Sequence, residues 1–174
     1  MDSRWVVFGL LVVAVVGTIG LIASSVGIIS PLLGDGYDPT AETDDYERTN
    51  VTVVDGETGA ERGTVEAAVA DTFRKRYLGL SRTEELPDNA GMLFLHSSSG
   101  EYTYVMRDMS FGLDIVFAAP NGTITRIHEA PEPGPGEDGN AQAYPGQGQY
   151  VLEVNRGWTA ERGIEVGDEI RFEL

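Results

Sequence analysis

Two histidines, His96 and His128, each end a run with strand character, GMLFLH and TITRIH. Two imidazoles and one carboxylate, drawn from Asp108, Asp114 or Glu129, make the donor set of a two-histidine, one-carboxylate metal site. Their sequence separation carries no information about proximity, and two unrelated strand-end histidines is the plainer reading. The 174 residues include no cysteine. That removes thiolate metal sites, a disulfide framework and a cysteine nucleophile. Ser81 and the run Ser97–Ser99 stand outside any G-x-S-x-G context, and no phosphate loop or dinucleotide fingerprint is present.

Asp114 is the acid hardest to place in water. It sits in LDIVF, a nearly continuous apolar run that a central strand would bury. A buried carboxylate needs partners, and Arg76 or Arg107 can offer bidentate ones. The structural reading is a carboxylate that fixes a turn or pairs with arginine. The chemical reading is ligand binding, or acid–base work with a second acid, Glu153 or Asp108. Met92, Met106 and Met109, with Tyr102, Tyr104, Phe111 and Trp158, fit a core, an apolar ligand pocket or a thioether copper(I) site. Trp158 is also the natural anchor for a short helix. The candidate ligand-binding set is therefore Arg76, Tyr104, Met106, Asp108, Asp114, Glu153 and Trp158. His96 and His128 are candidate metal ligands, no catalytic residue is assigned, and no cofactor is specified. Asn50-Val51-Thr52 and Asn121-Gly122-Thr123 are glycosylation sequons if the domain lies outside a membrane.

The elements that position these residues are mostly strands. Val51–Val54, Thr64–Ala70, Gly91–His96, Glu101–Met106, Leu113–Ala118, Thr123–His128, Gln149–Val154 and Glu169–Leu174 show β-branched or alternating patterns. Asp71-Thr72 signals a helix cap before Phe73, Tyr77 and Leu80, with Gly79 near the stop. Asn155 signals a second short helix over 156–162, closed by Gly163. Pro120-Asn121-Gly122 reads as a hairpin turn. Residues 129–149 hold four prolines and five glycines and read as one long loop. The expected fold is mainly β, an antiparallel jelly-roll-like sandwich or barrel with one or two short helices.

Several segments together resemble the domain of unknown function 192 family. They are RYLGL at 76–80, GMLF at 91–94, YVMRDMSFGLDIVF at 104–117 and YVLEVNRGWTAERGIEVGDEI at 150–170. The resemblance runs from about Val65 to Phe172. It implies a small β-rich domain with a jelly-roll-like sandwich, often exported, and it implies no particular activity. This chain has Val105-Met106-Arg107-Asp108-Met109 where relatives commonly have Trp-Met-Lys-Asn-Thr. Asp108 thus supplies an acceptor where the family has an amide. The cysteines that many relatives carry in the long loop are missing, so no redox role transfers.

Outside the domain, residues 5–33 carry no charge. The expectation is a transmembrane helix over 5–30, or a signal peptide, after a cytoplasmic stub at 1–4. An acidic linker follows at 31–49 and an extracytoplasmic domain at 50–174. Arg4 precedes the run and the next basic residue is Arg48, which predicts an inside amino terminus. The chain carries 28 acidic against 12 basic residues, and only one of the basic residues is lysine. This balance speaks against nucleic-acid binding. It resembles the composition of extremely halophilic proteins and predicts a need for molar salt. The functional expectation is a binding module of the cell envelope, held by its membrane helix and taking an unknown envelope ligand or protein. The alternatives are a carboxylate- or metal-dependent hydrolase acting on envelope material and a purely structural envelope protein.

Overall fold

The structure, a computed structural model, describes residues 46–174. Seven strands form one sheet: β1 (Arg48–Val54), β2 (Glu61–Ala70), β3 (Ala90–Val105), β4 (Leu113–Ala118), β5 (Ile124–Ala130), β6 (Ala143–Asn155) and β7 (Glu169–Arg171). Two short helices interrupt them, α1 (Phe73–Leu78) and α2 (Trp158–Glu161). The strand order is β5-β4-β6-β3-β2-β1-β7. The sheet curls until its ends touch. Ile124 N donates to Asp168 O at 2.7 Å, and Ile170 N donates to Gly122 O at 2.9 Å. Gly122 is required at this seam: its φ is +89°, and a Cβ there would lie 2.5 Å from Ile170 O.

The partly closed barrel has a core on each face. Inside, Val51, Val65, Leu93, Val116, Leu152 and Ile170 come from six strands and pack with Trp158. Outside, Met92, Phe94, Ile115, Phe117 and Val151 are roofed by Leu80, Leu86 and Met106 from the connecting segments. Strand β4 lies between the two layers, so all six of its residues are buried. This accounts for the unbroken apolar pattern of LDIVFA, where a half-exposed strand would alternate.

The mainly β architecture with two short helices matches the expectation, but the wholly antiparallel arrangement does not. Strands β2 and β3 run parallel. A parallel pair needs a crossover, and residues 71–89 supply it, carrying α1 across the outer face. The long loop also shortens. Strand β6 begins at Ala143 and pairs with β3 through Tyr144, Pro145 and Gly146, leaving 131–142 with a 3-10 turn at Gly139–Ala141. Gly146 and Pro145 conceal this strand in the sequence. Gly146 is needed because the Phe117 ring lies where a Cβ would be, 2.5 Å away. Strand β1 starts at Arg48, inside the span read as linker.

The expected membrane helix at 5–30 lies outside the described residues. Among those described, no helix is long and apolar enough to cross a membrane. The helices have six and four residues, against about 20 needed for a span. The expected single-pass location, with its secreted alternative, is corrected on this ground. The membrane as a partner rested on the same segment.

Candidate functional site

Helix α1 starts where the sequence signals it. The Thr72 side chain accepts from Lys75 N, and Gly79 ends the helix at φ +51°. The helix stands over the outer face of β3 and β6, and a cavity of about 500 Å³ lies beneath it. Its walls are aromatic: Phe73 and Tyr77 from α1, and Phe94, Tyr102 and Tyr104 from β3. Phe73 and Tyr77 stack with centroids 6.3 Å apart and are 80 % and 60 % exposed. Tyr104 packs edge-on to Phe94 at 5.0 Å and to Phe117 at 5.6 Å.

Glu153 of β6 also lines this cavity and is only 5 % exposed. Its register partners Met92 and Ile115 belong to the outer layer, which puts it on the cavity face. Among the described residues, no hydrogen bond or ion pair engages its carboxyl. Burial pushes its pKa up to about 8, so it is a neutral acid at neutral pH. His96 and Tyr104 form a hydrogen-bonded pair at 3.0 Å between Nε2 and Oη. Burial and the nearby Arg76 guanidinium push His96 down to about 4, so its imidazole is uncharged. Burial, chiefly, and then Glu153 raise Tyr104.

Two guanidiniums border the cavity. Arg76 is fixed by two bonds from Nη1, to Asp71 O at 2.6 Å and Leu95 O at 2.8 Å. Arg107 donates to Tyr77 O and lies over the Tyr77 ring at 4.2 Å. All three bonds go to backbone carbonyls, so neither arginine's charge is spent on Glu153.

The candidate residues separate into four places. Arg76, Tyr104, Glu153 and His96 meet at the cavity. Asp114 does not. Wholly buried, it accepts from Gly157 N at 3.0 Å, Thr159 N at 2.9 Å and Thr159 Oγ1 at 2.6 Å. It caps α2 from a neighbouring strand. This replaces the expected Asn155 cap and the expected arginine partners; Asn155 instead donates to Leu86 O at 2.7 Å. Met106 and Trp158 are core residues, in the outer and inner layers respectively. Asp108 is exposed, with φ +56°. Asp and Asn are the non-glycine residues best suited to that conformation. The family's Asn and this chain's Asp therefore serve one turn equally well.

His128 donates to or accepts a proton from nothing in the cavity; its Nε2 lies 2.8 Å from Pro145 O. Two rings, Tyr104 and Phe117, separate it from His96. Among the described residues, no three His, Cys, Asp or Glu side chains are placed to hold a metal ion. Asp114, Asp108 and Glu153, the expected acid–base carboxylates, and His128, an expected metal ligand, point to four different surroundings and do not converge. Asn50 lies exposed on β1, and Asn121 Oδ1 accepts from Thr123 N in the exposed turn.

Phe73, Tyr77 and Arg107 are cavity residues absent from the expected ligand-binding set. The signal was available in FRKRY at 73–77: rings four apart on one helix face, with cations between them, in a chain that is otherwise acidic.

The profile of the domain of unknown function 192 family, described as "Uncharacterized ACR", matches residues 54–172. Among solved structures, the chain is similar to a proposed transcription regulator from Sinorhizobium meliloti, at 23 % identity and TM-score 0.66. That match covers 75 % of this chain and 97 % of the other. It is also similar to a protein of unknown function from Novosphingobium aromaticivorans, at 27 % identity and TM-score 0.64, over 75 % of this chain and 89 % of the other. The two matches cover 97 % and 89 % of the other chains, and the correction of the expected location rests on these structures as well. A search of curated proteins finds no match.

Proposed function

The chain belongs to the domain of unknown function 192 family, and we propose that its β domain is a binding module that holds a small organic molecule in the cavity under α1. The observation that carries this reading is Glu153. A mostly buried carboxyl that no protein group bonds is poorly solvated, which costs stability, and this one keeps its oxygens open to an aromatic cavity, next to a preformed His96–Tyr104 pair. A ligand that bonds to the carboxyl removes that cost. The volume of about 500 Å³ falls in the range of small-molecule sites, and apolar walls with a few placed polar groups are their usual make-up.

The regulator description belongs to the Sinorhizobium protein, and at 23 % identity it brings a fold and nothing more. With 28 acidic against 12 basic residues, the surface supports no nucleic-acid contact.

The test is a fragment library titrated into the full chain and read by NMR. Binding at the cavity shifts the resonances of His96, Tyr104 and Glu153 together, and Glu153→Leu reduces the affinity of those fragments. Hits that cluster on another face, or an absence of hits, would overturn the reading.

A further inference from the structure

Each of the cavity's hydrogen-bonding side chains can donate, and the two charged ones can only donate. Arg76 and Arg107 have no acceptor, and both line the cavity. Ser97 and Thr103 add hydroxyls at its edge. Glu153, held neutral by burial, presents an O–H where an ionised acid would present only lone pairs. In the His96–Tyr104 pair one partner must donate to the other, and neither carries charge. The cavity therefore has two fixed positive charges and no fixed negative one.

The local charge runs against the whole molecule. Arg74, Lys75, Arg76 and Arg107 are a third of all basic residues in a chain of net charge -16, and three of them lie on one helix of six residues. Lys75 is paired with Asp71 at 3.0 Å. Among the described residues, the one acidic side chain near Arg107 is the exposed Asp108, at 4.0 Å. Arg76 has carbonyls. A cationic ligand would have to displace the field of both arginines, whereas an anion is met by it. The five rings of the walls supply stacking for a flat or ring-shaped body. Two of those rings, Phe73 and Tyr77, stand in water until something covers them.

We propose that the occupant is a ring-bearing organic anion, its carboxylate or phosphate held by Arg76 and Arg107, its ring against Tyr77, Tyr102 and Tyr104, and an acceptor on its body bonded to the Glu153 hydroxyl. The assignment rests on the binding reading above and adds the ligand's charge and shape to it.

The experiment compares four probes of similar body in the full chain by NMR titration: 3-phenylpropionate, phenyl phosphate, 3-phenylpropanol and 2-phenylethylamine. The two anions are expected to bind at least tenfold more tightly than the amine, with the alcohol between them, and their ratio tells a carboxylate site from a phosphate site. Arg107→Gln is expected to weaken the anions by about tenfold and leave the alcohol within about twofold, the usual scale of one charge-assisted contact. Arg107 is partly exposed and its bond is to the Tyr77 carbonyl near the end of α1; an unchanged unfolding midpoint of the variant checks that the fold and α1 are kept. Glu153→Gln keeps a donor and is expected to hold anion affinity within about threefold. An amine that binds as tightly as the anions, or anion affinity unmoved by Arg107→Gln, overturns the assignment and leaves the cavity reading standing. Binding by none of the four overturns it as well, and the fragment library then decides whether the cavity reading falls too.

Discussion

Asp114 and Glu153 are buried carboxyls on adjacent strands, one register step apart. Asp114 pairs with Val154 and Ile115 pairs with Glu153. Because side chains alternate across a sheet, that single step puts them on opposite faces. Asp114 faces the interior and receives three hydrogen bonds, including two from the backbone of α2. Glu153 faces the outer cavity and receives none among the described residues. The same chemical group is a fully satisfied structural cap in one place and a frustrated neutral acid in the other. Burial of an acid therefore identifies neither role; its hydrogen bonds do.

Removal of each group separates the roles most sharply. Asp114→Ala strands two backbone amides and the Thr159 hydroxyl in a dry site, and is expected to cost about 3 kcal/mol or more in urea unfolding. Glu153→Leu removes a carboxyl that burial holds protonated at neutral pH, and is expected to stabilise the chain by up to about 3 kcal/mol there. If Glu153→Leu destabilised the protein as much as Asp114→Ala, the contrast would be lost.

The next effect is pH dependence. Burial pushes the Glu153 carboxyl up to about 8 in the folded chain against an ordinary 4.5. Between those values the unfolded chain has released a proton that the folded chain keeps, so stability falls as pH rises, by about 1.4 kcal/mol per unit at most. His96 acts in the opposite sense. Its folded value is about 4 against 6.5, so between those values stability rises with pH. The two oppose one another below 6.5, and the loss from Glu153 stands clear from 6.5 to about 8. There, wild type is expected to lose about 2 kcal/mol relative to Glu153→Gln. Parallel stability curves for the two proteins across that window would contradict the assignment.

Smaller effects refine the picture. Thr159→Val removes one of the three bonds to Asp114 and is expected to cost about 1 kcal/mol by thermal or urea unfolding. Tyr77→Ser takes away an exposed ring, so stability should change by no more than about 0.5 kcal/mol, while cavity ligands lose affinity severalfold. A large stability loss at Tyr77 would make that ring part of the core and not of the site.

Much of this was readable beforehand, for local reasons. Thr72 and Gly79 bracket α1 because capping is local, and Pro120-Asn121-Gly122 marks its turn for the same reason. The burial of Asp114 follows from the apolar run around it. Its partners do not, since Gly157 and Thr159 lie more than forty residues away and are brought near only by the β4–β6 pairing. Glu153 was among the candidates, but its face depends on register, which the alternation in YVLEV leaves open between two cores. The parallel pairing of β2 with β3 was likewise hidden, because direction is set by where α1 crosses. Strand β6 is hidden in the sequence over Ala143–Gly148 because Pro145, Gly146 and Gly148 mimic a loop; Gly146 is there to admit the Phe117 ring.

The most direct measurement is a carbon-13 NMR titration of the Glu153 side-chain carboxyl in the ligand-free full chain. The account predicts that Glu153 titrates near 8 and that an anionic cavity ligand moves this transition. A Glu153 carboxyl titrating in the ordinary range near 4.5, unmoved by any such ligand, would contradict it.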